Sequence, residues 1–220
     1  MGTAARMAMP TDGLLTVSQW LSPAFPVSAY AYSQGFENAV TTGAVADAAD
    51  AAHWIETVLR AGAGRNDAIL LCLAIGGAVP VPVLADTARA LAGSAERWRE
   101  TRDQGTAFSE TVAEMGIEAP CAVAYPVAFG VAARHTGLAP DVVAQLFLQA
   151  LVSNLVSAAV RLVPIGQVAG QKIIAGLSRA VAAVAAEAAL RGLDDLGGAA
   201  LGAELAGLAH ETQEVRLFRS

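Results

Sequence analysis

The amino-acid sequence predicts an all-α protein, a single-domain bundle of roughly eight to ten helices. Hydrophobic residues make up 55% of the chain, whereas aromatic residues make up only 5%. Ala, Val and Leu dominate, and this composition suits closely packed helices better than a β-sandwich, whose strands need aromatic and β-branched polar residues. No stretch commits to the apolar and polar alternation of a half-buried strand. Nothing marks a linker either, so residues 1–220 are expected to form one helical domain.

The first part of the chain is expected to hold two short helices joined by a proline loop. The stretch 1–10 is expected to be flexible, and the spacing of Leu and Val predicts a helix over 13–22 that stops before Pro23. The loop at 22–28 leads to an aromatic, small-residue segment, and a second helix is expected over 33–43. The prolines separate the two helices because the residue before a proline disfavours helical geometry.

Caps and helix breakers predict the helices in the middle of the chain. Asp50 is expected to cap a helix that ends at Gly62, and Asp67 is expected to open the next one. A helix over 83–91 should follow two prolines, and Ser94 is expected to cap a strongly charged helix. Several short helices are therefore expected here.

The second half of the chain is expected to contain longer helices. An apolar helix over 119–134 is interrupted at Pro126, and a long helix over 140–162 begins with a proline. Further helices are expected over 165–191 and 201–213, because glycines between them break the helical pattern.

Net charge and hydropathy argue against two kinds of partner. The formal net charge is −6, from 14 Lys and Arg against 20 Asp and Glu, so nucleic acid is not expected to bind. Stretches 68–85 and 142–160 lack charge over a membrane-spanning length, but the first contains helix-breaking glycines and prolines and the second carries a polar stripe. No membrane partner is expected, and a membrane-associated helical protein stays an alternative. The stripe, which we hypothesise to line a wet interior path, consists of Gln145, Gln149, Ser153 and Ser157.

Cysteine usage and the N-terminal residues favour a cytoplasmic location. Cys72 and Cys121 lie far apart in apolar stretches, which does not suit a disulfide framework. The chain reaches Pro10 and Asp12 without the apolar segment of a secretory signal. A reducing cytoplasm is therefore expected.

Motifs for catalysis or for a resident metal are not found in the sequence. His53, His135 and His210 are isolated, although His210 beside Glu211 is the best local candidate for a metal contact. The glycine-dense segment 62–65 lacks the lysine of a phosphate-binding loop. No catalytic residue, metal ligand or cofactor is predicted, and the chain is not expected to be an enzyme. An all-helical cofactor-binding enzyme stays an alternative.

Two segments suggest contact with other proteins. Tyr30 and Tyr32 lie between a proline loop and a glycine, and tyrosines with one solvated end are common interface anchors, although they also close helix junctions. The tail 211–220 ends an apolar chain with alternating arginine and apolar residues. Leu217 and Phe218 would be better covered by a partner if the tail leaves them exposed.

Ordered blocks of sequence resemble the UreF family of urease accessory proteins. Residues 22–27 (SPAFPV) and 32–37 (YSQGFE) are similar to its N-terminal signature, and 64–68 (GRNDA) to a second family segment. Residues 154–167 (NLVSAAVRLVPIGQ) with 170–171 (GQ) are similar to its long C-terminal-half motif, and 210–213 (HETQ) with 216–220 (RLFRS) are similar to its tail. Where the family usually has two glycines, an aromatic residue and serine, this chain has SAYA at 28–31.

This resemblance implies an all-α homodimer that acts in nickel insertion into urease. It implies that the chain binds UreD/UreH and recruits the GTPase UreG, so that nickel reaches apo-urease. It also implies a role in controlling GTP hydrolysis by UreG, with the GTPase chemistry in that partner. The partner-binding residues that the sequence and the resemblance together predict are Tyr30, Tyr32, Glu37, His210, Glu211, Gln213, Arg216, Leu217, Phe218 and Arg219.

Overall fold

A computed structural model describes residues 10–220, and within this range the chain forms α-helices and short 3₁₀ turns with no strand. The stretch 1–10 that we expected to be flexible lies outside the described residues, except for Pro10, which begins the first helix. The helices are α1 (Pro10–Trp20), α2 (Phe36–Thr41), α3 (Ala48–Ala61), α4 (Ala63–Gly76), α5 (Val81–Leu91), α6 (Ala95–Glu114), α7 (Tyr125–Ala133), α8 (Pro140–Leu162), α9 (Gly166–Ala188) and α10 (Leu201–His210). The predicted all-α, single-domain bundle is confirmed.

The start of α3 differs from the sequence prediction. Asp47, and not Asp50, is the N-cap: its carboxylate accepts hydrogen bonds from the backbone nitrogens of Ala49 at 2.8 Å and Asp50 at 2.9 Å. Both aspartates precede an apolar helical pattern, and the backbone of Asp47 is extended, as an N-cap requires.

The boundary between α3 and α4 also differs from the prediction. Gly62 alone separates the two helices, so Asp67 lies inside α4 and does not open it. A glycine can end one helix and start the next without a side-chain cap because its backbone is conformationally permissive.

Ser94 caps α6 as predicted, whereas Pro126 behaves differently from our expectation. The Ser94 hydroxyl accepts a hydrogen bond from the Arg97 nitrogen at 3.0 Å. Pro126 does not interrupt a helix, because it lies in the first turn of α7, where a missing backbone N–H costs nothing. The predicted helix over 119–134 is therefore shortened to α7.

The core is built around α4, α7 and α8. Helix α4 packs against α3, α7 and α8, while α8 runs along α9. A cluster of aromatic rings joins α1, α6, α7 and α8, with the centroids of neighbouring rings 5.1–5.6 Å apart. Its members are Trp20, Phe108, Tyr125, Phe129 and Phe147, all of them buried.

Two helices also have the length and composition of a membrane span. These are α8 and α9, and half of the apolar window of α8 is buried against other helices of the bundle. Core helices of water-soluble proteins have the same composition. The other uncharged stretch does not form one continuous helix, because Gly77 caps the end of α4 and Pro80 precedes α5.

Glycines allow several helices to approach closely. A Cβ atom on Gly105 of α6 would overlap the carbonyl oxygen of Val123, and one on Gly170 of α9 would lie 2.8 Å from a Val160 methyl of α8. Gly170 thus allows α9 to pack closely against α8.

Replacing Gly105 by alanine is expected to lower the free energy of unfolding by about 1–3 kcal/mol, because the methyl group has no space against a backbone oxygen. Gly176 of α9 is the matched control, since a Cβ there meets no atom of the described part of the chain within 4 Å. Gly176→Ala is expected to stabilise the protein by about 0.5–1 kcal/mol. Urea unfolding measures both changes, and equal midpoints for the two variants would contradict the packing described here.

Candidate functional site

The candidate site forms where the loop before α2 meets α6, α10 and the tail 211–220. The loop contains left-handed residues: φ is 55° at Ser28, 54° at Gln34 and 79° at Gly35. A Cβ atom on Gly35 would lie 2.6 Å from the backbone nitrogen of Gly207 in α10. Gly35 therefore meets two demands that favour glycine, a positive φ and contact with another helix backbone.

Glu37, in the first turn of α2, is the residue on which the tail converges. Its side chain is only 5% exposed. The carboxylate accepts hydrogen bonds from the backbone nitrogens of Leu217 at 2.7 Å and Phe218 at 2.9 Å. The second oxygen also lies 3.2 Å from Nε2 of His210. A buried carboxylate needs such partners, because an ionised group without them is costly to remove from water.

His210 is fully buried and joins two carboxylates. Its Nδ1 lies 2.8 Å from Glu96 of α6, while Nε2 faces Glu37 of α2. The other oxygen of Glu96 accepts a hydrogen bond from the Arg216 guanidinium. The backbone nitrogen of Glu96 donates in turn to the Glu211 carboxylate at 3.0 Å. The end of α10, the start of α6 and the tail are thus tied into one polar cluster.

The last residues of the tail are held by backbone and hydroxyl contacts. The Arg219 nitrogen donates to the carbonyl of Ala31 at 2.8 Å, and the Ser33 nitrogen donates to the carbonyl of Ser220 at 2.7 Å. The Ser220 hydroxyl donates to the buried Glu100 carboxylate at 2.8 Å. The tail therefore does not fray, as an unconstrained terminus would, but is fastened to its own chain along its length.

A second buried ionic group adjoins the tail contacts. Arg97 of α6 bonds Asp67 of α4 at 2.6 Å and Glu100 at 3.2 Å. Burial raises the pKa of Asp67 although Arg97 opposes the shift. Burial alone would lower the pKa of Arg97, but Asp67 and Glu100 outweigh it and raise that pKa. The mutual pairing keeps these charges in the interior.

Two small cavities lie on either side of this ionic group. One has a volume of about 110 Å³ and reaches towards α10, and the other, of about 80 Å³, reaches the aromatic core. Both are lined by Gln34, Asp67, Arg97, Glu100 and Thr101. Within the described residues, the Gln34 side-chain oxygen and the Trp20 indole nitrogen are buried polar atoms without a hydrogen-bond partner.

Residues 64–68, the second segment that resembles the family, contact the loop between α9 and α10. Arg65 donates to the carbonyl of Asp195 at 2.8 Å, and Asn66 accepts from the Gly197 nitrogen at 3.1 Å. Arg65 and Asp67 therefore have different partners, since Asp67 pairs with Arg97. The segment anchors the loop between α9 and α10 to α4.

The polar stripe of α8 does not line an interior path within the single chain. Gln149, Ser153 and Ser157 face a groove between α8 and α9 that opens at the surface, together with Gln167 and Gln171. For these three residues the placement corrects the hypothesis of a wet interior route within one chain.

The structure brings most of the predicted partner-binding residues into one region but gives them different exposures. Tyr30 and Leu217 are exposed, whereas Tyr32, Glu37, His210 and Phe218 are buried in the chain itself. The buried Phe218 differs from the sequence expectation of an exposed apolar tail, because its ring packs under Arg161. The remaining predicted residues border this region and are Glu211, Gln213, Arg216 and Arg219. Their partner-binding role stays a prediction.

Sequence reasoning missed several members of the site. Ser33, Glu96, Glu100 and Ser220 all have buried side chains that hold the tail or its anchors. Glu96 and Glu100 carried a weak signal, because they lie one helical turn apart in a helix that otherwise looks solvated. Their partners in α10 and the tail are more than a hundred positions away, so their burial could not be read from local spacing.

One cysteine lies in the core near α8. Burial raises the pKa of the Cys72 thiol to about 12, so it is protonated and unreactive at neutral pH. Cys121 is exposed. The part of the chain that the structure describes contains no group of three or more His, Cys, Asp or Glu side chains arranged for a metal ion.

Glu37→Gln is expected to lower the free energy of unfolding by about 2–5 kcal/mol, because it removes the charge that accepts two tail amides and faces His210. Glu56→Gln is the matched control: within residues 10–220, Glu56 bonds only the exposed Arg60 on the same helix, and its loss should cost less than about 1 kcal/mol. Denaturant unfolding compares the two variants. Equal, small costs would contradict the anchoring role of Glu37.

The chain is similar in sequence to known proteins. The model of the UreF family matches residues 45–178. The chain is 57% identical to the urease accessory protein UreF of Jannaschia sp. over the full length of both proteins. It is 49% identical to the UreF of Dinoroseobacter shibae, over 94% of this chain and 98% of that protein, and 44% identical to the UreF of Rhizobium etli, over 95% and 97%. The chain therefore belongs to the UreF family of urease accessory proteins.

Proposed function

We propose that this protein is a non-catalytic scaffold for nickel insertion into urease. In this role it binds UreD/UreH and the GTPase UreG, and the resulting complex delivers nickel to apo-urease. Nickel is the cargo of the complex and not a resident cofactor of this chain. The proposal includes a homodimeric state, a cytoplasmic location and an influence on GTP hydrolysis by UreG. Family membership supports the general role in urease maturation.

The observation that carries the proposal is the outward display of apolar side chains from an anchored tail. The backbone of Leu217 is fixed by Glu37, yet its side chain is 77% exposed, and that of Val215 is 81% exposed. Apolar groups that are exposed and also held in one conformation lose little entropy when a partner covers them. This supports the tail as a preorganised surface for UreD/UreH.

The exposed face of α10 extends the apolar surface. Leu201, Leu205 and Leu208 are all exposed, and their spacing places them along one side of the helix that leads into the tail. Contiguous exposed apolar residues of this kind mark protein interaction sites. We propose that this face of α10 also contacts a partner protein.

Arginines at the tail supply polar contacts in the proposed interface. Arg216 and Arg219 are exposed and border a groove with Glu96 and Asp103. A guanidinium can pair with carboxylates and backbone carbonyls of a partner while its stem covers apolar surface.

The proposal is tested by Leu217→Ser, which removes an exposed side chain and keeps the backbone contact with Glu37. Binding of UreD/UreH to the purified protein is expected to weaken by about tenfold or more, as for truncation of an apolar interface anchor. Urease activation should fall in parallel in a reconstituted maturation assay. Calorimetry or a pull-down titration measures the binding.

Leu190→Ser is the control for this experiment, because Leu190 is 88% exposed beyond the end of α9, away from the tail. It should bind UreD/UreH like the unmodified protein. If both variants bind normally and activate urease fully, the tail is not the UreD/UreH surface.

A further inference from the structure

Glu100 of α6 is a buried carboxylate that joins three parts of the chain. Its side chain is only 2% exposed. One oxygen lies 3.2 Å from the Arg97 guanidinium and accepts a hydrogen bond from the Gln34 side-chain nitrogen at 3.3 Å. The other oxygen accepts a hydrogen bond from the Ser220 hydroxyl at 2.8 Å. Glu100 therefore contacts its own helix, the loop before α2 and the end of the tail with a single group.

The end of the tail also pairs with the loop before α2 through backbone groups. The Arg219 nitrogen donates to the carbonyl of Ala31, and the Ser33 nitrogen and hydroxyl both donate to the carbonyl of Ser220. Among the described residues, these contacts do not use the Glu37 carboxylate, which holds the amides of the two preceding tail residues. The tail is thus held at two successive points by two different carboxylates.

The ionic group of α4 and α6 fixes Glu100 from the side opposite the tail. Asp67 of α4 lies 2.6 Å from the Arg97 guanidinium, so that two carboxylates share one cation. A carboxylate offers about four lone-pair sites, and the contact with Arg97 uses only part of this capacity in Glu100. The rest accepts hydrogen bonds from Gln34 and Ser220. Such contacts are strong because the acceptor is charged and shielded from water.

We propose that Glu100 is a positioning residue, a second anchor of the tail that sets residues 219–220 against the loop at 31–34. Glu100 is buried and acts through the groups that it binds. Tyr32 and Arg219 belong to the two segments that it holds together, and both line the surface groove beside the tail. The anchor is a property of this chain alone, and its effect on UreD/UreH binding rests on the proposed function.

Hydrogen exchange of the full-length protein carrying Glu100→Gln tests this anchor. A glutamine side chain is neutral and has one acceptor oxygen, so it does not replace the three contacts of the carboxylate. Protection of the Ser33 and Arg219 amides is expected to fall by about tenfold or more, as for loss of a hydrogen bond to a charged group. Protection of Leu217 and Phe218 is expected to stay within about threefold, because a different carboxylate holds them.

Asp67→Asn is the matched control, because it neutralises the other carboxylate of the same ionic group. Within residues 10–220, the Asp67 side chain bonds only Arg97, so the Ser33 and Arg219 amides are expected to keep their protection. Urea unfolding of each variant separates a general loss of stability from a local opening of the tail. Unchanged protection at Ser33 and Arg219 in Glu100→Gln, or an equal loss throughout 217–219, would overturn the proposal.

Ser220→Ala applies the same test with the ionic group intact, and it decides the question if Glu100→Gln does not fold. It removes only the hydroxyl that binds Glu100 and keeps the backbone carbonyl that binds Ser33. The same selective loss of protection at Ser33 and Arg219 is expected. If their protection is unchanged in Ser220→Ala, Glu100 does not position the end of the tail.

UreD/UreH is absent from these exchange experiments, so their outcome is independent of the Leu217→Ser binding test. A selective loss of protection in Glu100→Gln, together with normal binding of UreD/UreH by that variant, would confirm the anchor and remove its role in the proposed interface.

Discussion

The burial of the Glu37 carboxylate is the constraint on which the site depends. An ionised carboxylate in the interior is tolerated only when its oxygens are fully hydrogen-bonded, and here two backbone amides and an imidazole provide those bonds. The backbone amides of the tail therefore replace water as hydrogen-bond donors to Glu37, and Glu37 in turn holds the tail in place. Removing either one leaves the other without its partner, which is why the two are expected to be lost together.

The backbone around Gly35 makes this arrangement possible. Left-handed conformations at Gln34 and Gly35 turn the chain sharply into α2 and bring it against Gly207 of α10. The side chains on the facing sides of α2 and α10 then lie next to each other. Because α10 is the helix from which the tail departs, the position of the tail follows from this one close contact between backbones.

The sequence was sufficient to predict the fold class and many helix boundaries. Ser94 and Pro140 are local signals for helix starts, and both act as expected. Local signals did not predict the start of α3, because Asp47 and Asp50 are both suitable N-cap residues. They also did not predict the start of α4, because Gly62 both ends α3 and precedes α4.

The site itself could be predicted only in part. Similarity to the family pointed to Glu37, His210 and the tail, but nothing in the sequence indicates that they contact one another. Glu96 and Glu100 look like members of a solvated charged helix, and only the tertiary fold places them beneath the tail. Long-range pairing of charged groups leaves no periodic pattern in a sequence, whereas helix formation does.

A double-mutant cycle tests most directly whether Glu37 and His210 stabilise the protein as one unit. The free energies of unfolding are compared for the unmodified protein, Glu37→Gln, His210→Gln and the double variant near pH 6. The double variant is expected to lose less stability than the sum of the two single losses, with a coupling energy of about 1–3 kcal/mol. Additive losses, within about 0.5 kcal/mol, would show that Glu37 and His210 act independently.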